Sequence, residues 1–473
     1  MAATLNSDDN NPPRGIRWRS NTFFILSTVS VGLFTDLFLY GLVVPILPFI
    51  LKDRISIPQD EIQTYTSILL GCYAGASVIC SLPAGYIADK LSARQLPFLV
   101  GLVALTLATI LLFVGQSITL LVVARILQGI SAAIVWTIGM ALVMDTVGSE
   151  KLGVTIGSIF SIISIGELLA PVVGGIVYDK AGPNAVLGLG IGVLVIDFVM
   201  RLLVIEKKVA VRYGLVDPLS EQDSEDTEEE ADEESPLIGT KDNPEDWKVD
   251  NDPPKLVKAF PVFYCLRNPR LLCAQLVAFT QATLLGVFDA TIPTEAQHLF
   301  GFSSLQAGLM FAPLVLPYLL LGPLAGRAVD KYGVKPVCVI GFSFLVTPLF
   351  LLRIPQAGEG AEIAKFCVIV ALAGLGIAAI SSPSIVEASY IVEKYHMANK
   401  DFFTENGPYA QLYAINSVFF CLGLTVGPLV GGTLRDTIGY GNMNAVIAGL
   451  CILVAIVCFF YIGGKPRIRK KFW

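Results

Sequence analysis

Five residues inside long apolar runs carry the chemistry open to this chain: Asp36, Arg125, Glu167, Asp289 and Asn416. A charge in hydrocarbon is expensive, so an ionisable residue there is a functional candidate. Asp36 lies about 14 residues into its run, roughly 20 Å at 1.5 Å per residue and near mid-membrane. Removal from water favours the neutral acid and brings a carboxyl toward proton exchange at working pH. A deprotonated Asp36 attracts a cationic substrate and a protonated one releases it; a helix–helix hydrogen bond is the plain alternative. Glu167 reads as a second proton or substrate carboxylate, or as a structural hydrogen-bond partner. Arg125 enters its run by about 8 residues, roughly 12 Å. There it can pair with a carboxylate, or bond backbone carbonyls beside Gln128. Asp289 is the best acid of the second half, and Asn416 is a neutral hydrogen-bonding group. Asp197 and Glu387 stand toward run ends, where a wet boundary accounts for them.

These residues need helices to hold them. Only 15% of the 473 residues are charged, against about 25% in soluble domains. Apolar runs recur along almost the whole chain, which indicates an all-α membrane protein of twelve transmembrane helices in two six-helix halves. The spans are expected near 21–51, 64–88, 96–115, 117–147, 153–178 and 184–204, then 270–297, 305–329, 337–354, 363–393, 408–435 and 442–463. The organisation is a cytosolic tail (1–20), a first bundle (21–204), an acidic loop (205–268), a second bundle (269–463) and a basic tail (464–473). The first span is too long for a signal-peptide core and lacks a small-residue cleavage site. The nine cysteines sit mainly in apolar runs, as small hydrophobes do. No Cys/His cluster has metal-ligand spacing, and no phosphate-cradling glycine loop, nucleophile elbow or basic nucleic-acid stripe stands out. These patterns call for no cofactor, no metal, no nucleic acid and no enzyme chemistry. The partners expected are the lipid bilayer, a small-molecule substrate and protons, with the chain a monomer.

Basic residues of short loops set the orientation. Arg14, Arg17 and Arg19, then Lys90 and Arg94, then Lys331 and Lys335, and the tail from Lys465 to Lys471 fall on one side of a twelve-span chain. Both termini are therefore expected in the cytosol. The central loop holds an acidic block over 221–234, whose charge and lack of aromatics suit a solvated, disordered linker. Within it, Glu233-Glu-Ser-Pro-Leu237-Ile238 has the form of an acidic di-leucine sorting signal, which adaptor proteins would read. The membrane is then vacuolar or endosomal; without the signal, the plasma membrane is the default.

Two patterns occur twice. Gly166-Glu-Leu-Leu-Ala-Pro171-Val-Val-Gly174-Gly175 is echoed by Gly423-Leu-Thr-Val-Gly427-Pro428-Leu-Val-Gly431-Gly432. Gly166, Ala170 and Gly174 form one helix stripe, as do Gly423, Gly427 and Gly431; such stripes let helix backbones approach in lipid. The prolines remove a backbone donor and bend the helix. Each stretch ends in a glycine turn, Ala181-Gly182 and Ile438-Gly439. The second pattern, Gly85-Tyr-Ile-Ala-Asp89-Lys90-Leu-Ser-Ala-Arg94, returns as Gly326-Arg-Ala-Val-Asp330-Lys331-Tyr-Gly-Val-Lys335. Its aspartate can face the positive amino end of a neighbouring helix, which contributes about 0.3–1 kcal/mol at exposed sites. Asp145 is within reach of Arg94. These loops read as gates, and also as positive-inside topology signals. Parallel six-helix repeats around a central site are how many secondary transporters are built.

On these motifs the chain resembles the major facilitator superfamily, in particular its twelve-helix drug:proton antiporters. The family's loop signature is seen at 85–94 with Ser92 in place of the second glycine, and complete at 326–335. Its span-4 signature appears as Leu121-Val-Val-Ala-Arg125-Ile-Leu-Gln128-Gly129, and its antiporter signature is the Gly-Pro stretch, with Ala170 where glycine is usual. Asp36 followed by Val43-Val44-Pro45-Ile46-Leu47-Pro48 is similar to span 1 of vesicular amine transporters, and Asp289-Ala-Thr-Ile-Pro293 to their span 7. Tyr413-Ala-Ile-Asn416 resembles a span-11 motif that usually ends in Asp. Tyr73 falls where those transporters have a lysine and Ser381 where they have an acid. The resemblance implies proton-coupled antiport, with export of drugs, toxins or secondary metabolites that are cationic or amphipathic. A nutrient symporter or uniporter, and a transport-dead sensor or scaffold, are the competing readings.

Overall fold

The computed structural model describes residues 13–43, 47, 50–58, 61–91, 94–149, 151–213, 247–249, 257, 260–302, 306, 309–400, 402–403 and 407–463. No strand occurs among them. Among the described residues, twelve helices are long and apolar enough to cross a membrane. Spans 1–4 are Thr22–Val43, Ile62–Lys90, Gln95–Val114 and Ile118–Val147. Spans 5 and 6 make up the helical stretch Leu152–Leu203 on either side of a kink at Gly182. Spans 7–9 are Pro269–Phe300, Ala312–Tyr332 and Val334–Leu351. Span 10 is Ala361–Ala398, and spans 11 and 12 are Tyr409–Ile438 and Tyr440–Tyr461. Large apolar side chains such as Ile79, Leu320 and Phe460 are exposed, as contact with hydrocarbon rather than water requires.

Glycine punctuates the helices where the chain must turn. Gly182 between spans 5 and 6 has φ 78° and Gly439 between spans 11 and 12 has φ 84°, so the paired turns expected from the repeat are both left-handed glycines. Gly333, the second glycine of the 326–335 loop, has φ 88°. Span 7 begins on Asn268, whose side chain accepts from Arg270 N at 3.0 Å, with Pro269 behind it. Span 10 is two helices, Ala361–Ile380 and Pro383–Ala398, because Pro383 cannot continue the backbone hydrogen bonding of the first.

Two compact units make up the chain. The first comprises Met1–Gly148, Ile162–Glu233 and Tyr409–Val418; the second comprises Ser149–Ser161, Glu234–Pro408 and Phe419–Trp473. The core of the first is apolar and draws on spans 1, 3, 4, 5 and 6, through Leu39, Leu42, Leu105, Leu121, Ala170 and Leu194. In the second, span 7 buries Val277, Phe288 and Ile292.

Both ends of the 205–268 segment carry structure. Lys207–Arg212 is a helix whose Ala210 packs with Ile16 and Ile205. Trp247–Val249 is held by Asn399, which donates to Trp247 O at 2.7 Å and accepts from Val249 N at 2.9 Å. Val262–Cys265 forms a further helical turn. The acidic block, Glu233, Leu237, Ile238 and the basic tail lie outside the described residues.

Candidate functional site

Asp36 sits on span 1, fully buried, as its position in the apolar run required. The indole Nε1 of Trp136 on span 4 donates to its Oδ2 at 3.2 Å. Its Oδ1 has no hydrogen-bond partner. A buried carboxylate with one bonded and one open oxygen is poised to bind a proton or a cation, since leaving a buried acceptor unmade is costly. Trp136 lies about three helical turns beyond Arg125, on the same helix face; that spacing is the one sequence signal that points to it.

Arg125 is also fully buried. Its Nη1 donates to Gln128 Oε1 at 2.8 Å, and the guanidinium lies 5.7 Å from the ring centroid of Tyr40. Its Nε and Nη2 have no hydrogen-bond partner. Neither a carboxylate nor a backbone carbonyl, the two partners considered for Arg125, takes this bond: Gln128, three residues on, shares its helix face and offers its side-chain oxygen instead. The rings of Tyr40 and Tyr73 meet at 4.7 Å between centroids, tilted by 32°, so the position where the amine transporters have a lysine here carries an aromatic ring. Gly129 makes room for this packing, because a Cβ there would collide with Tyr73 O. Asp36, Arg125, Glu167 and Asn416 all fall in the first unit, and Asp289 in the second. Glu167 and Asp289 are exposed, and Asn416 is buried.

Two acids expected at wet boundaries are not there. Asp197 is fully buried and takes a two-toothed contact from Arg201, with Nε and Nη2 at 2.8 and 2.7 Å from its oxygens. Glu387 is buried too, accepting from Arg270 Nε at 2.9 Å and from Gly463 N at 2.9 Å. In each case a guanidinium, which matches a carboxylate in shape, replaces the water. The i,i+4 spacing of Asp197 and Arg201 is legible in the sequence; Arg270 lies 117 positions from Glu387 and gives no such signal. Glu295, also unanticipated, pairs with Arg435 at 3.2 Å.

In each of the doubled loops the aspartate bonds backbone N–H groups at the start of another helix. Asp89 accepts from Ala410 N and Gln411 N, both at 2.9 Å, at the start of span 11. Asp330 accepts from Gly153 N and Val154 N, both at 2.8 Å, at the start of span 5. Each carboxylate thus meets two unsatisfied N–H groups and the positive end of a helix. The glycines a turn earlier allow the approach: a Cβ at Gly85 would stand 2.7 Å from Ala410 O, and one at Gly326 would collide with Gly153 O. Arg94 Nη1 lies 3.1 Å from Asp89 and its Nε 3.3 Å from Asp145, which also meets Lys208 at 3.3 Å. Burial alone would make the Arg94 guanidinium give up its proton more readily. Asp145 and Asp89 outweigh that and hold its pKa above the ordinary value. Glu206, which the sequence did not single out, accepts from Arg94 N and from Gln95 N, capping span 3. Lys90 bonds Tyr86 on its own helix, and Lys331 is exposed beside Tyr332.

The small-residue stripes are close-packing faces. Span 5 meets span 1, where Cβ atoms on Gly166 and Gly174 would stand 3.0 Å from the Phe34 ring and 2.9 Å from Leu42 O. Span 11 meets span 7, with Gly427 against Thr283 O and Pro428 against Gly286. Gly175 and Gly432 face open space. Pro171 lies within a helix that continues through it.

Helices this apolar, duplicated within one chain, with guanidinium and carboxylate groups drawn inward, define a multi-pass membrane protein of the transporter class. Sequence comparison supplies the family: the Major Facilitator Superfamily model matches residues 29–399 and 271–472, and the chain belongs to that superfamily. MFS-type transporter ppzB of Metarhizium rileyi is 47% identical over 474 residues, covering 96% of this chain and 98% of that protein. Probable vesicular acetylcholine transporter-B of Danio rerio is 24% identical, covering 94% of this chain and 81% of its own. Among solved structures, the human organic anion transporter MFSD10 (TETRAN) matches with TM-score 0.65 at 16% identity, over 95% of this chain and 100% of that one. The proton:xylose symporter XylE matches with TM-score 0.68 at 14% identity, over 92% and 94%. These two share the fold. A transporter family points away from enzyme chemistry.

Proposed function

We propose that this transporter is a proton-coupled antiporter that exports small organic compounds, cationic or amphipathic, by alternating access. The observation that carries the reading is Asp36: buried, held by Trp136 through one oxygen and open at the other. Such a group binds a proton from the acidic side and loses it on the other, and substrate competes with the proton. Glu167 is the second proton-linked carboxylate, and Arg125, whose Nε and Nη2 have no hydrogen-bond partner, offers donors to substrate or to a carboxylate in another state of the cycle. The helix-capping contacts of Asp89 and Asp330 are made and broken as access alternates. Likeness to a vesicular acetylcholine transporter and to a fungal MFS-type transporter supports a small organic substrate.

The test is reconstitution in proteoliposomes with ethidium as a fluorescent organic cation, with and without a pH gradient. Gradient-driven accumulation is expected, abolished by Asp36→Asn and weakened by Glu167→Gln. Wild-type rates and unchanged pH dependence in both variants would overturn the assignment and make Asp289 the leading acid.

For location, both termini and the 205–268 loop are assigned to the cytosol, in vacuolar or endosomal membrane if adaptors read Glu233–Ile238. Leu237→Ala with Ile238→Ala then moves the protein to the cell surface; unchanged localisation removes the signal.

A further inference from the structure

The Asp197–Arg201 pair is an unusual use of two buried charges. Both side chains have no exposed surface. Arg201 is fully committed: Nε and Nη2 to Asp197, Nη1 to Phe98 O at 2.7 Å, and its guanidinium 3.8 Å over the Phe98 ring. A buried ion pair of this kind adds little net stability over well-packed apolar side chains. What apolar residues cannot supply is a fixed electric field. The guanidinium stands directly against span 1 at Gly32, where a Cβ would lie 2.8 Å from Nη2. Span 1 comes this close because residue 32 has no side chain. Asp36 is one turn further along the same helix, a rise of about 6 Å.

The titratable and charged groups on the elements packed around this part of span 1 are few. Span 2 supplies Tyr73, span 4 Arg125 and span 5 Glu167, while span 3 sets the uncharged Phe98 ring against Gly32. Span 6 supplies the paired Asp197 and Arg201, whose guanidinium stands against Gly32 one turn from Asp36, and Trp136 donates to Asp36.

We infer that Asp197 and Arg201 are positioning residues that set the pH at which Asp36 exchanges its proton. This rests on the reading of Asp36 as the proton-linked carboxylate. The two charges act in opposite senses: Arg201 favours the carboxylate and Asp197 opposes it. Asp197 fixes the orientation of the Arg201 guanidinium through both of its oxygens.

The experiment is a pH titration of the full chain in lipid nanodiscs by infrared difference spectroscopy, following the carbonyl stretch of the protonated carboxyl that Asp36→Asn removes. Asp197→Asn is expected to lower the midpoint of that band by about one pH unit, because the field of Arg201 is no longer opposed. Its amide oxygen still accepts from Arg201, and Phe98 still holds the guanidinium, so this variant is expected to fold. Arg201→Gln is expected to raise the midpoint by a similar amount. Arg201→Lys, which keeps the charge, is expected to stay close to wild type. Opposite shifts from the two neutralising variants are something that a merely structural pair would not produce. An unmoved midpoint in Asp197→Asn overturns the proposal by itself, even if Arg201→Gln does not fold. If Asp36→Asn removes no titrating band, the Asp36 reading falls and this proposal falls with it.

Discussion

Asp330 is the counterpart of Asp89 in the second repeat, and each of the two closes a pair of backbone N–H groups at the start of a helix distant in sequence. The contact is charge-assisted, so losing the charge while keeping the shape is informative. Asp330→Asn retains one acceptor and is expected to lose about 1–3 kcal/mol of local stability. Asp89→Asn is expected to lose more, since it also strips Arg94 of a partner. Thermal unfolding in detergent, read beside transport rate, checks this; equal melting temperatures for both variants and wild type would show that the caps are dispensable.

Arg94 is expected to tolerate no neutral replacement. Arg94→Ala takes from Asp89 and Asp145 the guanidinium they share, a loss of about 3–5 kcal/mol for a broken buried pair. Arg94→Lys should be intermediate, because an ammonium cannot span both carboxylates with a planar fork. Asp145→Asn should be the mildest of the three. Expression yield and unfolding temperature rank the variants, and any other order contradicts the geometry.

The glycines of the repeated stretches separate into two kinds that look alike in sequence. Gly427→Ala sets a methyl 2.5 Å from Thr283 O, backbone that cannot step aside. Gly432→Ala meets nothing within 4 Å and gains helix propensity, about 1 kcal/mol in water. Gly427→Ala is expected to lower the melting temperature and transport, and Gly432→Ala to leave both unchanged or slightly raised. Gly174→Ala and Gly175→Ala make the same comparison in the first half. Equal effects within either pair would contradict the packing.

Trp136→Phe removes the N–H that holds Asp36 and keeps most of the ring. Losing a hydrogen bond to an ionisable buried group is worth about 1.5–3 kcal/mol. Transport driven by a pH gradient is expected to fall roughly tenfold or more at near-wild-type folding, with a displaced pH optimum. A wild-type pH profile in Trp136→Phe would show that the indole is there for packing alone.

Much of the architecture follows from the chain's own order of residues. Twelve spans, two related halves, the glycine turns at 182 and 439, and the buried position of Asp36 follow from hydropathy, spacing and the cost of charge in hydrocarbon, all of which act locally. That a loop aspartate can face the positive amino end of a helix was legible for the same reason; which helix Asp89 and Asp330 each meet was not. Tertiary structure decided who meets whom. Trp136 reaches Asp36 across 100 positions; Arg125 turns to Gln128 rather than to an acid; Asp197 and Glu387 are sealed by arginines; Gly427 is pressed against backbone while Gly432 is open. A residue's type fixes that it needs a partner, because a buried polar group left alone is costly. Which partner it finds depends on helix rotation and proximity, and these are set by the packing of the whole bundle.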